Sequence, residues 1–80
     1  MDKSYNGWKN YETWNLALWA GNDEPVYRAV QERKRQIKRF SAGSAEDLGR
    51  ELFPNGTPDM DGMRDMRKVC WGEIATSWNE

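Results

Sequence analysis

Three groups of side chains in this 80-residue chain are able to do chemistry: a lone thiol at Cys70, an acidic cluster of Asp59, Asp61 and Asp65, and a basic run. The basic run, Arg28, Arg33, Lys34, Arg35, Lys38 and Arg39, holds six of the twelve positive charges, with Glu32 the one acid among them. A thiol attacks only as its thiolate, which needs a cation or base beside it. Arg67 and Lys68 are near, but Val69 and Trp71 flank Cys70 with apolar surface, so a buried, inert thiol is expected. No histidine occurs anywhere. That removes the commonest general base, the usual partner of serine and cysteine nucleophiles, and the commonest metal ligand. The aspartates match a calcium loop only in the pair Asp61-Gly62. In register with that glycine the first ligand would be Thr57 and the closing glutamate Lys68, so the spacing fails. Acids in the first turns of a helix already have a reason to be there, the positive end of its dipole. With no strand leading into a glycine-rich phosphate loop either, the expectation is no catalytic residue, no metal, no cofactor and no enzyme.

The basic run is the one electrostatic feature with functional potential. On a helix, Arg28, Arg35 and Arg39 line up at seven- and four-residue steps and Lys34 and Lys38 form an adjacent row, so both rows face a partner together. Phosphates or an acidic protein would suit them. The competing expectation is a solvated face balanced by acids from the third and fourth helices. The net charge of -1 and isoelectric point near 5.5 exclude a general polyanion binder and a DNA mimic alike. Only local patches can act electrostatically.

The elements that must position these residues are helical. Asn10 to Asp23 reads as a helix with Asn10 as N-cap, Glu12 in its first turn, and Gly21-Asn22 supplying a left-handed end. Tyr11, Trp14 and Leu18 share one face while Leu16 and Trp19 lie well round the cylinder, which predicts a central helix sheltered on several sides. A second helix starts at Asp23 or Glu24, with Pro25 in its first turn, and runs to about Phe40. Val26, Tyr27, Val30, Ile37 and Phe40 make the stripe laid on the first helix. Ser44 with Asp47 approximates a capping box for a third helix through Phe53, facing Leu48, Leu52 and Phe53 inward. Thr57-Pro58 is a helix-start signal for a fourth, with Met60, Met63, Met66 or Arg67, and Cys70 on its buried side. Trp71, Ile74, Ala75 and Trp78 continue a helical period to the end, and Gly72 leaves open whether a break near Cys70 makes a fifth helix. The fold class expected is all-α: a compact bundle of four or five short helices around the Asn10–Gly21 helix, one domain over 1–80, with 1–9 an extended arm and 10–80 the core.

A mean hydropathy of -1.03 sits beside five Trp, three Tyr and two Phe, so a few aromatic side chains must provide most of the buried area. Trp14, Trp19, Trp71 and Trp78 are expected inside. Trp8, in the arm, is expected to fold back as a lid on the first helix, the alternative being an exposed recognition aromatic. A single cysteine forbids an internal disulfide and suits a reducing cytoplasm. Met1-Asp2-Lys3-Ser4 has no secretory character and the longest apolar run is Leu16–Ala20, so neither a leader nor a membrane span is expected. The Asn55-Gly56-Thr57 sequon then meets no glycosylation machinery.

Gly7-Trp8-Lys9-Asn10-Tyr11-Glu12-Thr13-Trp14-Asn15-Leu16-Ala17-Leu18-Trp19, followed by Asn22-Asp23, resembles a family of small α-helical domains encoded by phages and other bacterial mobile elements. Trp71-Gly72-Glu73-Ile74-Ala75 is similar to that family's closing segment. The resemblance implies a source and a fold type and brings no activity or catalytic residue with it. It favours a protein that binds and inhibits or redirects a host protein, such as a defence or CRISPR component or a host enzyme, in the host cytoplasm. The contact residues expected are Arg28, Lys34, Arg35, Lys38, Arg39 and Trp8. A nucleic-acid-binding regulator using the basic helix is the alternative. A homodimer is expected if the second helix keeps apolar area after covering the first.

Overall fold

The computed structural model describes residues 6–60 and 62–80, the Met63 side chain excepted. The described residues form an all-α fold of five helices, α1 (Tyr11–Asn22), α2 (Glu24–Ile37), α3 (Ala42–Leu52), α4 (Met63–Met66) and α5 (Trp71–Trp78). Asn10 caps α1 as its side chain type dictates, its Oδ1 accepting the Thr13 N–H at 2.9 Å. The other end differs from expectation. Gly21 and Asn22 stay helical, and Asp23, in extended conformation, ends α1 by donating its N–H to the Trp19 carbonyl at 3.0 Å. The same residue starts α2 by accepting the Val26 N–H at 3.3 Å. One aspartate therefore makes the whole corner, and no left-handed residue is needed.

α2 stops three residues short of Phe40. Lys38 takes a positive φ of 76° and closes the helix through its N–H to the Lys34 carbonyl at 2.7 Å. The Phe40 N–H donates instead to Asn79 Oδ1 at 2.7 Å, and the Asn79 amide donates back to the Phe40 carbonyl at 2.9 Å. Phe40 is buried against Trp78, ring centroids 5.1 Å apart. α3 begins earlier than expected, because Ser41 rather than Ser44 is the cap. Ser44 is the other half of a reciprocal capping box, its hydroxyl accepting the Ser41 N–H at 2.9 Å.

The expected fourth helix from Thr57 shrinks to the single turn of α4. Gly56 and Gly62 both take positive φ, 82° and 67°, so helical geometry is interrupted on either side of Pro58–Met60. Thr57 does not cap; its buried hydroxyl donates to Asn15 Oδ1. After α4 the chain leaves helix again before α5, so α4 and α5 are separate.

Packing follows the order α2, α1, α5, α3, with contacts between each neighbouring pair. α1 is an inner helix, but α5 is equally so. Trp71, Ile74, Ala75 and Trp78, half of α5, are buried between α1 and α3. From α1, Leu16 and Ala20 join the core with Val30, Phe40, Leu48, Met66 and others in one cluster. Each fully buried aliphatic side chain contributes about 1.5–3 kcal/mol against solvent exposure. Two tryptophans expected inside are only half-buried: Trp19 packs at the edge of the core, and Trp14 stands beside Tyr11 with ring centroids 5.7 Å apart. The cause is the row that α1 turns inward, Thr13, Leu16 and Ala20, which leaves the row Tyr11, Trp14 and Leu18 on the other side. The apolar stripe expected on α2 is narrower too. Val30 is buried and Val26 half-buried, while Tyr27 and Ile37 are exposed.

Candidate functional site

The basic run is divided by the end of α2. Arg28 pairs with Glu24 one turn away at 2.7 Å and Arg35 with Glu32, both on α2 itself. Arg33 reaches across to Glu51 of α3 at 3.1 Å. Lys34 donates to the Glu80 carbonyl at 3.3 Å. Among the described residues, only Arg33 finds its acid on the third helix and none finds one on α4; α2 itself supplies the acids for Arg28 and Arg35. Lys38 and Arg39 lie beyond the last helical residue, exposed, so the two rows expected to continue through them are broken. The surface pairs are well solvated, with side chains of Arg28 and Glu24 more than two-thirds exposed, and pairs of that kind contribute about 0.3–0.5 kcal/mol.

Trp8 is half-buried and packs against the core. Its arm is tied to α5 as well as leading into α1, because the Lys9 N–H donates to Glu73 Oε1 at 2.9 Å. Gly7 and Trp8 border an open groove of about 570 Å³ whose other side is Cys70, Glu73 and Thr76. Cys70 is thus half-buried at a groove, not enclosed as expected. Its N–H donates to Thr13 Oγ1 at 2.8 Å. Thr13 Oγ1 in turn donates to the cap oxygen of Asn10 at 2.6 Å, and Asn10 Nδ2 donates to the Lys68 carbonyl at 2.8 Å. The start of α1 and the approach to α5 are stitched by this relay.

Asp59 of the acidic cluster is put to structural use. Asp59 Oδ2 accepts from Asn15 Nδ2 and from Trp19 Nε1, each at 3.0 Å. These two hydrogen bonds, Asn15 first, hold the exposed carboxyl below the ordinary aspartate range. Asp65 is half-buried, 4.0 Å from Lys68, and Asp61 lies outside the described residues. Among the described residues no three acidic or thiol side chains gather to hold a metal ion, and no helix is long and apolar enough to cross a membrane.

A surface feature missed by the sequence reading is the outward row of α1. Leu18 is 40% exposed, with half-buried Trp14 and Tyr11 on its N-terminal side. The signal was present in Asn15 and Thr13, polar residues inside an apolar run, which mark the inward side by needing partners there. A family model described as "Family of unknown function (DUF7249)" matches residues 1–80. No curated protein and no solved structure matches the chain.

Proposed function

The chain belongs to that family over its whole length; from the sequence resemblance and the surface of α1 we propose that it is a phage-type protein that acts in the host cytoplasm by binding a host protein and inhibiting or redirecting it. The observation that carries the reading is Leu18, 40% exposed on the side of α1 opposite the row locked in the core, with half-buried Tyr11 and Trp14 on its N-terminal side. Tyr and Trp are the residues that most often anchor protein interfaces. Arg28, Lys34, Arg35, Lys38, Arg39 and Trp8 are the further contact residues of this reading. The test is affinity capture from the bacterial host with the wild-type chain and with Leu18→Glu. A stoichiometric partner retained by the wild type and lost by the variant is expected; no stoichiometric partner, or one captured equally by both, overturns the reading.

One observation favours nucleic acid instead: Lys38 and Arg39 are exposed and make no ion pair among the described residues. On that alternative, retention of DNA or RNA in a gel shift survives physiological salt and disappears when Arg35 and Arg39 are reversed to Glu.

A further inference from the structure

Along one flank of α2 stand Glu24 and Tyr27, exposed, and Gln31 and Lys34, half-buried, separated by three, four and three residues and so confined to one stripe of the helix. Tyr27, 50% exposed, is the most exposed large apolar side chain of the described residues. With Gln31 it rims a cleft of about 190 Å³ between α1, α2 and the end of α5. The spacing of the stripe is the same read from either end, while its charge reverses, acid at Glu24 and base at Lys34. Such a face is complementary to itself only when two helices run antiparallel. Within one α2 the acid and the base of this stripe cannot meet each other, because they lie about 15 Å apart along the axis.

We propose that a second copy of this chain docks on this face, with the two α2 helices antiparallel about a twofold axis passing between Tyr27 and Gln31. Glu24 of one protomer then meets Lys34 of the other at both ends of the seam, and each Tyr27 ring lies over the opposite Gln31. A twofold contact uses every such pair twice, which is why one self-complementary stripe is sufficient. Glu24 already meets Arg28 and Lys34 already meets the Glu80 carbonyl. Neither contact exhausts the group, since a carboxylate has two oxygens and an ammonium three N–H donors. The 14-residue helix spans about 21 Å, so the association is weak, in the class below about 1,200 Å² of buried surface.

Sedimentation equilibrium of the full chain, from about 10 μM to about 1 mM, tests this. The expected result is a monomer–dimer equilibrium in which Glu24→Lys and Lys34→Glu each raise Kd about tenfold or more, and the double reversal brings it back to within about threefold of wild type. Tyr27→Asp, at a position outside the core, raises Kd as well and stands in for Lys34→Glu should that variant lose its fold. Circular dichroism melts verify folding in each case. A monomer at every concentration, a dimer indifferent to the single reversals, a folded double variant no tighter than the singles, or a species larger than a dimer would each overturn the proposal. The α1 row is untouched by these variants, so their outcome is separable from that of host-partner capture.

Discussion

Thr13 is buried and its one hydroxyl serves both directions, accepting from the Cys70 N–H and donating to the Asn10 cap. Thr13→Val keeps the shape and removes both bonds, leaving a part-buried N–H without its acceptor. It should cost about 1–3 kcal/mol in a denaturation midpoint, whereas Thr13→Ser, which keeps the hydroxyl, should cost less. Gly49 is constrained by contact: a Cβ there would fall inside the Trp71 ring's van der Waals envelope. Gly49→Ala should therefore destabilise by about 1–3 kcal/mol, the range for overpacking, and shift Trp fluorescence as the indole is displaced. Asp59 has a folded pKa below its unfolded one, so the unfolded chain binds more protons at acid pH. Its contribution is fully present above the unfolded value, about 3.9, and is lost as pH falls through the folded value. Asp59→Asn should flatten the acid limb of a Tm-against-pH curve without changing the shape of the curve near neutrality. None of these three roles is legible from residue type alone. Each depends on a partner more than 20 positions away in the chain, and periodicity carries no information at that range.

Helix identities were legible where local chemistry decided them, as with Asn10 at the cap, Pro25 in the first turn of α2, and the inward set Trp71, Ile74, Ala75 and Trp78. Helix ends failed where a distant group competed for the backbone. Phe40 continues the apolar period of α2, yet its N–H and carbonyl are both taken by Asn79, and Ser41 withdraws the next residues into the cap of α3. Lys38 absorbs the conflict in a backbone conformation that side-chain-bearing residues rarely adopt. Replacing it with glycine should remove steric strain of about 1–3 kcal/mol while adding about 0.5–1 kcal/mol of unfolded-state entropy. Lys38→Gly should then melt at or above the wild-type temperature in spite of the lost side chain. A fall of several degrees would mean that the turn is not strained. The same competition explains α4: Thr57 has the signature of a cap, but Asn15 claims its hydroxyl and the positive φ of Gly62 breaks any helix begun there.

At the scale of the molecule, the sequence pointed to tryptophans from both ends of the chain and to a helical bundle, and the all-α architecture is the one observed. What it assigned to one sheltered helix is divided between two, α1 giving its inward row and α5 filling the space between α1 and α3. That placement has a consequence for how the polypeptide behaves when cut. The connection Pro54–Met60 carries exposed positions, while α5 lies downstream of it and both surfaces that α5 fills lie upstream. A nick there should yield two pieces that are each largely unstructured alone and regain helical circular dichroism on mixing, the shorter acting as a wedge that the longer cannot close without.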